Sequence, residues 1–220
     1  MERILILGGG AGGTLTANLL VKKLRNETMD LVKSLKLKVA NISSSYNGVY
    51  MGDPVYHPFW EAVNALGVTV WIHPEGVKDP WFQNYSLWNS LGQSIEETKC
   101  MTSLIYEGVM TKFPDLKVVM AHGGGYMPLY MGRIDRNYVE KANTRVNMRQ
   151  PPIDYLRMLY FDSCVYERAV LQHLVDKVGA ERVLLGSDYP VGEGKPVEFV
   201  TGTDTGAGKT VLTALLARSE

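Results

Sequence analysis

The sequence predicts an α/β fold made of parallel βα units, and two observations lead to this prediction. The first is a series of short apolar runs rich in strand-forming residues, at residues 37–43, 68–73, 117–122, 159–163 and 182–188. Runs of this length fit strands that are buried on both faces, as a parallel sheet requires. The second is that helical patterns lie between these runs, which indicates right-handed βα crossovers.

Helix boundaries are marked between the predicted strands. Asp53 followed by Pro54 predicts the start of a helix, and Gly67 predicts its end. Ser94 and Glu97 have the spacing of a capping box, in which each side chain bonds a backbone N–H at the start of a helix. This spacing predicts that a second helix begins at Ser94.

Both chain ends add a further βα unit. Residues 3–24 and 199–217 each contain a strand pattern, a glycine-rich turn and a helix pattern. With these units the chain has about seven strands, which predicts a partial or rebuilt TIM barrel rather than the complete eight-stranded form. We therefore divide the chain into a Rossmann-like opening unit at 1–28, a barrel portion at 29–198, and a P-loop unit at 199–220 packed on the same domain.

Charge and composition narrow the function classes. The 220 residues contain 23 Lys plus Arg and 23 Asp plus Glu, so the formal net charge is zero. A neutral chain lacks the positive field that non-specific nucleic-acid or anionic-membrane binding needs. No apolar run reaches the length of a membrane span, and the first residues make a poor secretory signal. The two cysteines form no CxxC pair, which favours a reducing cytoplasm.

Four central strands are predicted to end in a polar side chain, namely His73, His122, Asp162 and Asp188. In a parallel α/β barrel the carboxyl ends of the strands meet on one face, where active sites lie. Two imidazoles and two carboxylates gathered there could hold a divalent metal such as zinc. The alternative is that each is a hydrogen-bonded strand end. We favour a site, because four such residues occur in succession.

Five segments carry a resemblance to a known family: VWIHPEG, KVVMAHGGGYMP, MGRID, YFDSCVY and ERVLLGSDYPVGEG, in this order. Through them, residues 29–199 resemble the amidohydrolase-related superfamily and, within it, the aminocarboxymuconate-semialdehyde decarboxylase-like group. The resemblance implies a TIM-barrel fold and a single divalent metal, usually zinc. It also implies non-oxidative decarboxylation of a small carboxylated substrate, with hydrolysis or hydration as the alternative reaction.

The same resemblance implies roles for individual residues. His73 and Asp188 match metal ligands of the family, Asp188 also serving catalysis, and His122 matches a histidine that handles a proton beside the metal. Arg133 is expected to pair with a substrate carboxylate, for which a guanidinium is well suited. The family also has a His-x-His pair on its first strand. This chain has no such pair, which predicts weakened metal binding and impaired activity.

The first glycine-rich turn raises a different cofactor. Gly8, Gly10 and Gly13 fit the GxGxxG dinucleotide pattern between a strand and a helix. With them, residues 1–27 resemble the start of FAD- or NAD-dependent oxidoreductases of the sulfide:quinone reductase type. The alternative is a tight strand-to-helix connection without a ligand. We favour this alternative, because the rest of a dinucleotide domain is missing.

The second glycine-rich turn has the composition of a phosphate loop. Its residues are Gly202, Gly206, Gly208, Lys209 and Thr210. Residues 199–218 resemble the start of dethiobiotin synthetase, in which the lysine would reach the phosphates of ATP and the threonine would hold magnesium. The chain therefore combines segments that resemble three different families: the start of an oxidoreductase, part of a decarboxylase-type barrel and the start of a synthetase. This combination has the character of a chimera.

Three functions therefore remain open from the sequence. The first is a metal-dependent decarboxylase or hydrolase that takes a small carboxylated molecule. The second is a recombined α/β protein without enzymatic activity, and the third is a nucleotide-binding module that uses the phosphate loop. Neither nucleic acid nor a membrane is an expected partner, and assembly as a homo-oligomer is left open.

Overall fold

A parallel sheet forms the centre of the protein, in a computed structural model that describes residues 3–6 and 37–186. Six strands follow the spatial order β1-β2-β5-β6-β7-β8, and a separate hairpin pairs β3 with β4. The strands are β1 Arg3–Ile6, β2 Leu37–Ile42, β3 Ser45–Tyr46, β4 Val49–Tyr50, β5 Thr69–Ile72, β6 Lys117–Met120, β7 Tyr160–Asp162 and β8 Val183–Leu184. All neighbouring pairs in the large sheet are parallel, so the predicted α/β fold is confirmed.

Strand register aligns the carboxyl ends of three central strands. Ile72 of β5 pairs with Met120 of β6, which in turn pairs with Phe161 of β7. All three side chains are fully buried, as the continuous apolar character of these runs predicts. The residues that follow them therefore emerge at the same edge of the sheet.

Seven α-helices flank the sheet within the described residues. They are α1 His57–Leu66, α2 Leu87–Ser90, α3 Gly92–Tyr106, α4 Val109–Lys112, α5 Met127–Glu140, α6 Pro152–Leu156 and α7 Arg168–Val178. Helix α3 contributes four fully buried side chains to the core, namely Cys100, Met101, Leu104 and Ile105. Burial of an aliphatic side chain stabilises the fold by about 1.5–3 kcal/mol, so α3 is firmly held. Among the described helices, none is both long and apolar enough to cross a membrane.

The first helix ends where the sequence predicts, whereas the predicted start at Asp53 and Pro54 is that of a 3₁₀ turn and the α-helix itself begins at His57. The Asp53 carboxylate accepts a hydrogen bond from the Val55 N–H at 2.9 Å, and a 3₁₀ turn over Pro54–Tyr56 leads into α1. Gly67 ends the helix with a φ of 62°, in the left-handed region that glycine adopts without strain.

The predicted capping box at Ser94 is wrong. Helix α3 begins two residues earlier, at Gly92, and has no side-chain cap. Leu91 connects it to α2 with helix-like backbone angles, φ −108° and ψ −43°, so the chain is already helical before Ser94. The Ser94 carbonyl accepts a hydrogen bond from the Thr98 hydroxyl at 2.8 Å. Glu97 therefore does not cap the helix, and its side chain is fully buried.

A tight hairpin follows β2. Asn47 and Gly48 at its tip have positive φ angles of 52° and 78°, as a two-residue turn between antiparallel strands requires. The hairpin places Tyr50 beside α3, where its hydroxyl donates to both carboxylate oxygens of Glu96 at 2.9 and 2.8 Å. The hairpin of β3 and β4, which follows the carboxyl end of β2, is therefore bonded to α3, the helix that also carries Glu97.

Candidate active site at the strand ends

Two of the predicted strand-end residues lie side by side. His73 directly follows β5, and its N–H donates to the Ile42 carbonyl of β2 at 2.9 Å. His122 follows β6 after Ala121, whose N–H donates to the Ile72 carbonyl at 3.1 Å. The two imidazole rings are 5.0 Å apart between centroids and meet edge to face at 74°. Parallel register thus brings both imidazoles to one edge of the sheet.

The turn after β6 presents His122 on strained backbone. The four residues from His122 to Gly125 have φ angles of 47°, 61°, 78° and 60°, a region that only glycine occupies freely. A Cβ at Gly124 would lie 2.7 Å from the Phe161 ring, and one at Gly125 would lie 3.0 Å from the Glu97 carboxylate. The glycines therefore allow the turn to pack closely against β7 and α3.

Asp162 holds this turn from the neighbouring strand. Its Oδ1 accepts hydrogen bonds from the N–H groups of Gly123 at 3.1 Å and Cys164 at 3.0 Å. Burial raises the pKa of the Asp162 carboxyl, while the charge of His122 and the backbone donors act to lower that pKa. These contacts fit the second of the two interpretations, a hydrogen-bonded strand end.

Glu97 is the partner of the His122 ring. Nδ1 of His122 is hydrogen bonded to Oε1 of Glu97, whose side chain is fully buried, while the imidazole is 14% exposed. The sequence argument missed this residue, because its local spacing suggested a helix cap. A usable signal was present: Glu97, Met101 and Leu104 share the buried face of α3, and a carboxylate on an apolar face needs a partner.

A cavity of about 380 Å³ opens beside His122, a volume in the range of small-molecule sites. Its wall includes both polar and apolar side chains, among them Asn89, Gln93, Tyr126, Leu129 and Tyr166. Burial raises the pKa of the Tyr126 hydroxyl, and the negative charge of Glu97 raises it further. This phenol therefore stays protonated at neutral pH and can donate a hydrogen bond to a ligand.

Other residues singled out from the sequence lie elsewhere. Arg133 is exposed on α5 and does not line the cavity, and neither does His73. Asp188 lies outside the described residues. A further histidine, His173, which carries none of these predictions, is in the middle of α7, where its Nε2 lies 3.3 Å from the Pro128 carbonyl, an arrangement that fits a structural role.

The chain as a whole is similar to known proteins. A family model described as amidohydrolase matches residues 8–198. The chain belongs to this amidohydrolase family. It is 33% identical over 174 residues to the 2-amino-3-carboxymuconate-6-semialdehyde decarboxylase of Dictyostelium discoideum, an alignment that covers 77% of this chain and 48% of that enzyme. The chain thus spans about half the length of the curated relatives it matches.

Solved structures share the fold of this amidohydrolase. The 5-carboxyvanillate decarboxylase of Sphingomonas paucimobilis has a TM-score of 0.75 at 24% identity, covering 97% of this chain and 64% of its own. A dihydroxybenzoic acid decarboxylase of Polaromonas, solved with bound manganese and the inhibitor 2-nitroresorcinol, has a TM-score of 0.73 at 24% identity, covering 87% and 63%. These likenesses support a partial α/β barrel.

A complete metal site is not present among the described side chains of the amidohydrolase. Within residues 38–186, no group of three or more His, Cys, Asp or Glu side chains is arranged to hold an ion. The imidazoles of His73 and His122 have the right donor chemistry for a divalent transition metal. The described residues therefore fit a metal only in part, and Asp188, the other predicted ligand, lies outside them.

Both glycine-rich turns lie outside the described residues. Gly8, Gly10 and Gly13 are nevertheless within the matched amidohydrolase range, which starts inside the predicted 1–28 unit. The residues of the predicted phosphate loop lie outside that range as well: Gly202, Gly206, Gly208, Lys209 and Thr210. The comparisons support neither the oxidoreductase nor the dethiobiotin synthetase resemblance.

Proposed function

We propose that this chain carries out metal-dependent, non-oxidative decarboxylation of a small carboxylated aromatic or related unsaturated molecule. The observation that carries the proposal is the meeting of His73 and His122 at the strand ends of an amidohydrolase, beside a cavity of about 380 Å³. The decarboxylases to which the chain is similar support the reaction class. Hydrolysis or hydration is the alternative reaction at the same residues.

The cavity wall suits a flat substrate with polar substituents. Leu129 and Val165 offer apolar contact to a ring, and Tyr126 offers a hydroxyl donor. In the proposal Arg133 pairs with the substrate carboxylate. Arg133 is exposed and is not among the residues that line the cavity, so its position does not support this pairing.

In this proposal His122 moves the proton. Decarboxylation forms a C–H bond at the carbon that carries the carboxylate, while the C–C bond to the carboxylate breaks. The electron pair of the broken bond stays with the organic product, and CO₂ leaves. His122 is suited to the proton transfer because it lines the cavity and because, near neutral pH, an imidazole can accept a proton in its neutral form and donate one as imidazolium.

A divalent metal would be held by His73 and Asp188, with further ligands from outside the described residues. Once bound, such an ion acts as a Lewis acid that polarises substrate oxygens and lowers the pKa of bound water. Manganese in the structure of the Polaromonas enzyme supports a divalent ion. Zinc, expected from the resemblance, is the competing identity.

The test combines metal analysis with turnover. The purified chain, loaded separately with Mn²⁺ and Zn²⁺, is given 2-amino-3-carboxymuconate-6-semialdehyde, 5-carboxyvanillate and a dihydroxybenzoate, and CO₂ release is measured. We expect about one ion per chain and turnover of at least one substrate. His73→Ala and Asp188→Ala should lose the ion, and His173→Asn should keep it. A chain that holds the ion but releases CO₂ from no substrate contradicts the proposal.

The phosphate-loop and dinucleotide predictions need a separate test. If Lys209 binds nucleotide, ATP with Mg²⁺ should raise the melting temperature and Lys209→Ala should remove that rise. A dinucleotide should raise it only if the turn at Gly8, Gly10 and Gly13 binds one. A folded chain with no ion, no turnover and no shift in melting temperature would favour the remaining alternative, a recombined protein without activity.

A further inference from the structure

We propose that Glu97 is a positioning residue that keeps the proton of the neutral His122 ring on Nδ1, so that Nε2 is the nitrogen that exchanges a proton with the substrate. The tautomer assignment depends only on the contacts of His122. The substrate half of the statement rests on the proposed decarboxylase function.

The contact between Glu97 and His122 selects the tautomer. An ionised carboxylate only accepts hydrogen bonds, so the Nδ1 that contacts it must carry the hydrogen. In the opposite arrangement a protonated carboxyl donates to Nδ1, and the ring proton lies on Nε2. The second arrangement carries one proton more than the first, and a glutamate ordinarily gives up its proton about two pH units below an imidazole, so the first arrangement is favoured at and above neutral pH.

Other contacts leave the ring few alternatives. The backbone of His122 is fixed by its place in the left-handed turn, which Asp162 holds through the Gly123 N–H. The N–H of Tyr126, at the far end of the turn, donates to the Thr98 hydroxyl of α3 at 3.0 Å. The ring also meets the His73 ring edge to face, and its Nδ1 contacts the Glu97 carboxylate.

Glu97 acts through His122 rather than on a ligand. Its carboxylate is fully buried and does not line the cavity, whereas His122 does. A change at Glu97 should therefore lower kcat and leave KM nearly unchanged, because substrate binding does not involve this side chain.

The chain offers a matched control one residue away. Glu96 is also a buried glutamate of α3, with a side chain that is 9% exposed. Its carboxylate accepts from the Tyr50 hydroxyl and from Lys99 Nζ at 3.1 Å, not from His122. Glu96→Gln thus removes a buried charge from the same helix without touching the His122 ring.

The tautomer is read by ¹⁵N NMR of the histidine side chains in the full chain, at about pH 8.5, where an ordinary histidine is neutral. His122→Asn identifies which of the four ring spectra belongs to His122. We expect a protonated Nδ1 and an unprotonated Nε2 in the wild type and in Glu96→Gln. Glu97→Leu, which has no acceptor, should lose this preference, and Glu97→Gln, which keeps a carbonyl oxygen, should retain part of it.

Two results overturn the inference. The first is a proton on Nε2 of His122 in the wild-type chain. This result requires neither a variant nor turnover, so the test remains valid even if Glu97→Leu does not fold. The second is an unchanged tautomer in a folded Glu97→Leu. On a turned-over substrate, kcat of Glu97→Leu should fall by about 100-fold with KM within about 3-fold of wild type. Absence of turnover with the expected tautomer counts against the proposed reaction, not against the tautomer.

Discussion

Adjacent glutamates of α3 serve two different regions of the molecule. Glu97 reaches an imidazole in the turn after β6, and Glu96 reaches a phenol in the hairpin and a lysine on its own helix. Successive residues of a helix point about 100° apart, so neighbours of the same type meet different surroundings. Both carboxylates are buried and both are partnered, yet only Glu97 has as its partner an imidazole, the type of side chain that ordinarily titrates near neutral pH.

The chemistry of the partners separates the two regions. Burial raises the pKa of the Tyr50 hydroxyl, and the hydrogen bond to Tyr50 raises the pKa of Lys99. Both groups therefore hold their protons throughout the neutral range, and the region around Glu96 is a fixed structural contact. An imidazole can gain or lose a proton in that range, so the region around Glu97 is the one equipped for proton transfer.

The largest expected effect comes from replacing the charged or titratable partner of each glutamate, His122 beside Glu97 and Lys99 beside Glu96. His122→Asn should lower decarboxylation about 10²–10⁴-fold, the range that a positioned acid or base contributes. Lys99→Met should change the rate less than about twofold, because its partially exposed ammonium contacts Glu96 and Tyr50 and does not line the cavity beside His122. Initial rates on the same substrate compare the two variants, and equal losses would erase the distinction between the regions.

Replacing a glycine by alanine should lower the unfolding free energy more in the turn after β6 than in the hairpin. Gly125→Ala forces a φ of 60° on alanine and drives its Cβ into the Ser94 carbonyl, so we expect a loss of about 3 kcal/mol in unfolding free energy. Gly48→Ala has a φ of 78° but nothing within 4 Å of the added carbon, and should lose about 1 kcal/mol. Urea denaturation measures both. A Gly125→Ala chain as stable as Gly48→Ala would show that the turn can move away from α3.

Tyr50→Phe should have a smaller effect that is confined to stability. The change removes the hydroxyl that donates to Glu96 but leaves Lys99 as a partner, so we expect about 1 kcal/mol less stability. Turnover should stay within about twofold of wild type, since Tyr50 does not line the cavity beside His122. A large loss of turnover would mean that the hairpin contributes to the reaction.

The subtlest prediction concerns how Asp162 responds to pH. Burial raises the pKa of its carboxyl in the folded state, so above the unfolded value of 3.8 the folded chain retains this proton longer than the unfolded chain. The contribution of Asp162 to stability is therefore greatest below that pH and falls as pH rises through the folded pKa. Asp162→Asn lacks this titration, so its stability relative to wild type should increase with pH. A difference that stays constant with pH, measured by urea denaturation, would contradict the pKa direction.

The sequence predicted the sheet better than it predicted the site. Short apolar runs located all five central strands within a few residues, because burial on both faces leaves a direct mark on composition. The proximity of His73 and His122 followed from the same reasoning, since parallel strands end at one edge.

The rest depended on contacts that local spacing does not encode. Glu97 matched a capping pattern with Ser94, but its partner lies 25 residues away along the chain. Asp162 belonged to the predicted metal cluster, yet its oxygen is taken by the backbone of the turn. The exposure of Arg133 depends on which face of α5 packs against the protein, and the family motif around it carries no information on that.

The left-handed turn after β6 bears on attempts to move this site into another scaffold. Its glycines have no room for side chains on the β7 and α3 sides. The ring of its histidine is bonded to the Glu97 carboxylate of α3, and the N–H of Gly123 donates to the Asp162 carboxylate of β7. A graft of only the segment from β6 to the turn would transfer a His122 side chain without the contacts from α3 and β7 that hold its ring and backbone in place. The smallest transplantable unit comprises β6, β7 and α3 together.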